Sequence, residues 1–206
     1  MSRKRSAVKP APGRSNSVRI IAGQWRGRRV HFPDAQGLRP TADRVRETLF
    51  NWLQGKLEAE DCLDLFAGSG ACGFEALSRG ARAVVFVDAA MQVTRNIRQE
   101  LDKLEADPAK AQVVTATAQQ WLSQAAHKPQ RYGVVFLDPP FADDLLVSSC
   151  AALESSAVLK PHAWIYLESG APLPAFASDA GFPANWQLHR HGRAGSVYYG
   201  LYERSA

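Results

Sequence analysis

Asp64-Leu65-Phe66-Ala67-Gly68-Ser69-Gly70-Ala71-Cys72-Gly73 is the stretch whose reading decides the fold. It follows the short apolar run Cys62–Phe66 and opens a helix predicted over Ala71–Ser78. Gly68, Gly70 and Gly73 satisfy G-x-G-x-x-G between a strand and a helix, the turn that brings backbone close to a ligand at a helix N-terminus. Asp88 closes the next apolar run, Ala83–Val87, 18 residues past Gly70, where a carboxylate accepts hydrogen bonds from ribose hydroxyls. Both features suit NAD as well as S-adenosylmethionine. Asp64 favours the second: a carboxylate at the end of the first strand repels a pyrophosphate but welcomes the ammonium of a methionine tail. Glycine at 68 and 70 then lets backbone approach that tail closely.

Outward from this loop the chain alternates. Helices are predicted over Met91–Leu104 (Val93, Ile97, Leu101 and Leu104 on one face), Ala118–Ala126 and Leu145–Leu153. Short apolar runs lie between them at Val113–Thr115, Val134–Leu137 and Trp164–Leu167. Such βαβ succession implies a parallel sheet covered on both faces. The tail breaks the rhythm: Trp186–His191, a loop Gly192–Gly195 and Ser196–Tyr202 predict an antiparallel hairpin closing one edge. Ahead of the core, Val18–Ala22 and Arg26–Phe32 predict two short strands about Gly23-Gln24. A loop from Pro33 to Pro40 follows, then a helix capped by Thr41 and ended by Gly55. That helix buries Val45, Leu49, Trp52 and Leu53 and shows Arg44, Arg46 and Glu47 on its other face.

The fourth strand ends in Asp138-Pro139-Pro140-Phe141, at the carboxyl end of the sheet, where open α/β sheets bind ligands. Two prolines fix φ twice and leave carbonyls with no competing N–H. A turn this rigid aims a carboxylate and a carbonyl at one –NH₂ group, and Phe141 offers a face on which a base stacks. The lone pair of an aromatic amine is delocalised into its ring. Accepting both amino hydrogens favours a pyramidal nitrogen and points the lone pair at a methyl donor. A sulfonium is already an electrophile, so neither a metal nor a strong base is required, and a base in a helix or loop must leave its stack to enter such a pocket.

Charge is lopsided. Nine of the 25 Lys and Arg lie in residues 1–33 with no acid among them, leaving 16 basic against 20 acidic residues in the rest. A basic arm on a near-neutral body reads as an anchor for a polyanion. Residues 1–17 are expected to be a disordered basic tail, 18–56 an extension that binds RNA and covers the active site, and 57–206 the catalytic core. Cys62, Cys72 and Cys150 form no CxxC pair, and His189-x-His191 lacks partners, which argues against a metal site or a disulfide frame. No apolar stretch suits a membrane span or a secretory signal, so a cytoplasmic protein is expected.

At these residues a resemblance emerges. Asp138-Pro139-Pro140-Phe141 resembles the D/N-P-P-Y/F motif of amino-group methyltransferases. The stretches Arg19–Arg28 and Gly37–Leu53, with Asp64–Gly70 and Glu75–Arg79, are similar to the RsmD family of bacterial 16S rRNA guanine-N2 methyltransferases over about residues 18–203. The resemblance implies a class I S-adenosylmethionine-dependent fold: a Rossmann-like seven-stranded sheet with an antiparallel C-terminal hairpin and a short N-terminal hairpin and helix. It implies one guanine substrate, guanine 966, in 16S rRNA of a partly assembled 30S particle. Asp138, Pro139, Pro140 and Phe141 would hold the base. Asp64, Phe66, Ala67, Gly68 and Gly70 would contact the methionine end, and Asp88 the ribose. Thr117 and Ala118 would lie near the adenine, where many relatives place Asp or Asn. Arg19, Arg26, Arg28, Arg39, Arg44 and Arg46 would touch RNA, with His189, Arg190, His191 and Arg193 adding phosphate contacts. The competing readings are methylation of DNA adenine or protein glutamine, an NAD-binding oxidoreductase, and a non-catalytic RNA-binding protein.

Overall fold

The alternating apolar runs are realised as a seven-stranded sheet with helices on both faces. A computed structural model describes residues 16–32, 43–127, 129–140, 145–174 and 181–205. An antiparallel hairpin, β1 (Asn16–Arg19) and β2 (Arg29–Phe32), precedes α1 (Asp43–Trp52). The core then runs β3 (Asp61–Asp64), α2 (Ala71–Ser78), β4 (Ala83–Asp88), α3 (Met91–Lys103), β5 (Ala111–Thr115), α4 (Ala118–Ala125) and β6 (Tyr132–Leu137). It finishes with α5 (Leu145–Ser155), β7 (Leu159–Ser169), β8 (Trp186–Ala194) and β9 (Val197–Arg204). The strand order is β5-β4-β3-β6-β7-β9-β8, parallel from β5 through β7, with β9 antiparallel between β7 and β8. Winding reverses between β3 and β6, so the loops leaving them diverge and open a crevice at their carboxyl ends.

Period-two alternation sorts the sheet's side chains into two cores. Cys62, Val84, Phe86, Val134, Phe136 and Tyr166 point towards α1, α2 and α3. Leu63, Val85, Val87, Val135, Leu137, Ile165 and Leu167 point towards α4 and α5. Gly73 belongs to α2 because the helix lies close on β4: a Cβ there would stand 2.1 Å from Phe86 Cε1.

Several sequence expectations need revision. Asn16 and Ser17, assigned to the tail, pair with Phe32 and His31 in the first hairpin. The C-terminal hairpin turns at Gly195-Ser196, with Gly195 at φ 62°, and Gly192–Ala194 belongs to β8 rather than to a loop. Arg46, expected on the solvent face of α1, is on its buried face with Val45, Leu49 and Phe50. Leu53 is buried as expected, whereas Trp52 is only half-buried and stacks on Tyr199. The Thr41 cap and the Pro33–Pro40 loop lie outside the described residues.

The N-terminal hairpin is fastened to the core through polar contacts. Glu75, buried in α2, accepts from the Ile21 and Ala22 amides at 2.8 and 3.0 Å and from Arg79 Nε at 2.6 Å. Ser78 Oγ accepts from Trp25 N–H and donates to the Ala22 carbonyl. Gly23, at φ 84°, comes so near α2 that a Cβ would meet the Ser78 carbonyl at 1.8 Å. Across α3, Glu100 accepts from the His31 amide and Asn96 donates to the His31 carbonyl.

Candidate active site

The crevice is walled by the ends of β3, β4, β6 and β7, each with an acid at or next to its last residue. Asp64 is buried and accepts from the Gly73 amide at 3.0 Å, tying the strand end to the first turn of α2. Burial, opposed by that hydrogen bond and aided by the Asp88 charge, pushes its carboxyl up to about 8. Between them the loop is tight: Gly70 N–H donates to the Ala67 carbonyl at 2.6 Å, and Gly68 and Gly70 sit at φ 50° and 74°. Asp88 braces it, one carboxylate oxygen accepting from the Gly68 amide at 2.9 Å and the other from Ala90 at 2.8 Å. A carboxylate has about four lone-pair positions, so Asp88 retains capacity for ribose hydroxyls.

On the other side of the reversal, β6 and β7 pair through Leu137–Leu167, and one residue on stand Asp138 and Glu168. Phe136 and Tyr166 point to the α1–α3 side, so Asp138 and Glu168 return to that side. Asp64, opposite Phe136 on β3, shares it. Three carboxyl groups on adjacent strands thus face one space. Burial, then Glu168, then Asp64 push Asp138 well above the usual carboxylate range. Tyr166 Oη donates to Glu168 at 2.8 Å. Pro139 is buried and Pro140 exposed, so the double-proline corner stands at the rim of the crevice. Phe141 lies outside the described residues.

Glu168 is the site residue that sequence reasoning missed. The signal was present: Glu168 follows the apolar run Trp164–Leu167 as Asp88 follows Ala83–Val87 and Asp138 follows Val134–Leu137. Phe66 is half-buried and Ala67 buried beside the glycine loop. Thr117 caps α4, its hydroxyl accepting from the Gln120 amide while the Gln120 side-chain oxygen accepts from the Thr117 amide. That hydroxyl is engaged by the helix, and Ala118 is buried behind it.

The residues expected to meet RNA divide. Arg19, Arg26, Arg28 and Arg44 are exposed, Arg28 also donating to the Lys103 carbonyl at 2.8 Å. His189, Arg190, His191 and Arg193 are exposed on β8. Arg39 lies outside the described residues. Arg46 is a correction: its guanidinium is fully buried, so it offers no surface to a phosphate backbone. Nη2 donates to the Arg19 carbonyl at 2.6 Å and to Asp43 at 3.0 Å, while Nε and Nη1 have no partner.

This donor set fits S-adenosylmethionine. Clustered acids with raised proton affinity suit an ammonium and a sulfonium, a glycine turn held open by Asp88 suits the tail, and no acidic cluster of this kind suits a pyrophosphate. Among the described residues no group of His, Cys, Asp and Glu is arranged to hold a metal ion, and no helix is long and apolar enough to cross a membrane.

Fold and site together define a class I S-adenosylmethionine-dependent methyltransferase. Residues 18–203 match the family described as Conserved hypothetical protein 95. The chain belongs to this family, that of the RsmD proteins. It is 45% identical over 200 residues to ribosomal RNA small subunit methyltransferase D of Escherichia coli, covering 96% of each chain. It is 41% identical to the protein of the same name from Haemophilus influenzae, covering 93% of this chain and 96% of the relative. The solved structure of yhhF from Escherichia coli is similar at 43% identity with a TM-score of 0.78, covering 93% of this chain and 99% of that one.

Proposed function

We propose that the protein transfers a methyl group from S-adenosylmethionine to the exocyclic amino group of one guanine in 16S rRNA, guanine 966, within a partly assembled 30S particle in the cytoplasm. The observation that carries this reading is the pair Asp138 and Glu168, side by side at adjacent strand ends and facing Asp64 at the glycine loop.

The bound cofactor supplies an electrophilic methyl group, and the chain's own residues prepare the nucleophile. Asp138 accepts one amino hydrogen and a carbonyl of the proline corner accepts the other, orienting the nitrogen lone pair towards the glycine loop. Glu168, beside Asp138, accepts from the neighbouring ring N1–H, a donor that guanine has and adenine lacks. The positive charge of the bound cofactor would favour ionised Asp138, which then takes the proton released as the new N–C bond forms and returns it to solvent. Exposed Arg19, Arg26, Arg28 and Arg44 on the hairpin and α1 hold the RNA by its phosphates, with residues 18–56 as the RNA-facing extension of the catalytic core.

Methyl transfer from labelled S-adenosylmethionine to 30S precursors, duplex DNA and a release factor tests the substrate class. Labelling of 30S precursors alone is expected; labelling of DNA or protein instead overturns the reading. Mass spectrometry of 16S rRNA from cells lacking the protein is expected to show loss of a single N2-methylguanine.

A further inference from the structure

The edge strand β8 carries charge that no acid among the described residues answers. Arg79, Arg82, Lys103, Lys160 and Arg204 each pair with an acid. Arg190 and Arg193, with His191 between them, are exposed and have no acidic partner among the described residues. Arg193 is nevertheless held in place. Its Nε donates to the Gly195 carbonyl at 2.9 Å, and its guanidinium lies 4.9 Å from the centre of the Tyr198 ring. Both partners are neutral, so a positioned cation keeps its charge for a ligand. Charge and a bulge, here between Leu188 and Arg190, also guard an edge strand against pairing with another sheet. Guarding of that kind demands neither one sign of charge nor one level along the sheet.

Strand register sets that level at the crevice. Arg190 is opposite Leu201, itself opposite Tyr166, and Arg193 is opposite Tyr198, itself opposite Ser169. The two arginines thus bracket the level of Glu168, which is in line with Tyr199 and Gly192. Two strand spacings separate Gly192 from Glu168, about 10 Å, or about three nucleotides of a stacked strand at about 3.4 Å each. The wall between them is braced. A Cβ at Gly192 would meet Tyr199 Cζ at 2.4 Å, so the ring lies close across β8, and Trp52 of α1 stacks on that ring at 5.6 Å. Near its other end α1 holds the N-terminal hairpin, through the bond from Arg46 to the Arg19 carbonyl. One helix therefore braces both basic surfaces. A polyanion with regularly spaced charges answers both arginines at once, and a strand leaving a base in the crevice is such a polyanion.

We infer that the β8–β9 hairpin is a second RNA-binding wall. Arg190 and Arg193 hold phosphates of the strand that flanks the target guanine, and His191 adds a hydrogen-bond donor between them. This assignment rests on the 16S rRNA reading above and deepens it, because it runs the flanking strand from the crevice across β9 and over the β8 edge.

The test uses the full chain and 30S precursor particles, with particle affinity measured over a range of salt beside steady-state methylation. Arg190→Ala/Arg193→Ala should raise Kd for the particles about 10-fold and flatten the slope of log affinity against log salt by about 1–2. It should leave kcat at saturating particle, and affinity for S-adenosylhomocysteine, within about two-fold of the wild type, because phosphate contacts position the RNA without touching the reacting groups. Arg190→Lys/Arg193→Lys, which keeps both charges, should restore most of the affinity. Arg190→Glu/Arg193→Glu keeps the edge charged against strand pairing, yet should weaken particle binding beyond the alanine variant. Wild-type affinity and salt slope in the glutamate variant would leave the edge a guarding role alone and overturn the inference. A loss confined to kcat in the alanine variant overturns it too. Lys110→Ala, exposed at the opposite end of the sheet, should change nothing; an equal loss there would reduce the effect to net charge. If the wild type methylates no 30S precursor, the substrate reading fails and the second wall with it.

Discussion

Replacing Glu75 with alanine should unfasten the N-terminal hairpin, and the structure sets the size of the effect. The Glu75 carboxylate receives two backbone amides, Ile21 at 2.8 Å and Ala22 at 3.0 Å, besides Arg79 Nε at 2.6 Å. Hydrogen bonds to a charged group contribute about 1.5–3 kcal/mol each. Two amides therefore put the loss at about 3–6 kcal/mol, from which relief of a buried carboxylate's desolvation subtracts about 1–2 kcal/mol. For a chain of this length each kcal/mol moves Tm by about 2–4 °C, so Glu75→Ala should melt about 10 °C below the wild type. Glu75→Gln, which keeps one carbonyl acceptor, should lose roughly half as much. Thermal and urea unfolding measure the stability, and hydrogen exchange at Ile21 and Ala22 shows whether the loss is local. A Glu75→Ala protein melting within about 2 °C of the wild type, with the two amides still protected, would refute the claim that this carboxylate fastens the hairpin.

Four further substitutions and titrations have expected outcomes. Glu168→Gln should lower kcat on 30S precursors by about 10- to 100-fold while leaving S-adenosylhomocysteine affinity within a few-fold, since a positioned hydrogen-bond acceptor acts on the base; unchanged kcat removes Glu168 from the site. Gly73→Ala gains about 1 kcal/mol of helix propensity but sets a Cβ 2.1 Å from the Phe86 ring, and overpacking of about 1–3 kcal/mol should win, read as a lower urea midpoint at unchanged slope. Asp64 gives a pH signature. Its folded carboxyl is raised from 3.8 to about 8, so the stability it contributes is full below the unfolded value and is lost as pH rises towards 8. A cation in the crevice reverses this by favouring the ionised form, so S-adenosylhomocysteine should release protons on binding near pH 7, seen as a buffer-dependent binding enthalpy, and should bind tighter from about pH 6 to pH 8. Buffer-independent enthalpy would contradict it. Glu154 has the opposite sign. Burial pushes its carboxyl up, but bonds from Arg204, Asn185 and Trp186 bring it down to about 2, so its contribution is present above about 4.5 and vanishes as pH falls towards 2. Glu154→Gln should flatten the acid side of the stability curve by pinning β8 and β9 less firmly at neutral pH.

The legible parts of this chain are those where one local rule acts alone. Helix α2 falls on Ala71–Ser78 as expected, because a glycine turn starts it and a left-handed Gly80 follows its end. The core strands were found as apolar runs but read too short where polar residues join the ladder. Thus β7 extends back to Leu159 through Lys160, Pro161 and His162, and β5 begins at Ala111. Periodicity carries no signal where hydrogen bonds rather than burial recruit a residue. The C-terminal turn was misplaced for a related reason. Gly192 looks like a loop residue, but it lies in β8 because the Tyr199 ring leaves no room for a Cβ, a fact set by the partner strand.

The site was legible strand by strand and illegible across strands. Asp64, Asp88 and Asp138 each announce themselves by closing an apolar run, and each stands at the crevice. What the sequence withholds is which strand ends are neighbours. Glu168 closes its run in the same way, yet it gains meaning only from the β6–β7 pairing that sets it beside Asp138. Arg46 shows the complementary failure. By periodicity the charge at 46 belongs to the solvent side of an amphipathic helix, and burying it costs more than any apolar substitute would. Tertiary partners recruit it instead, the Arg19 carbonyl on the hairpin and Asp43 one turn back, and no periodicity within the helix announces them.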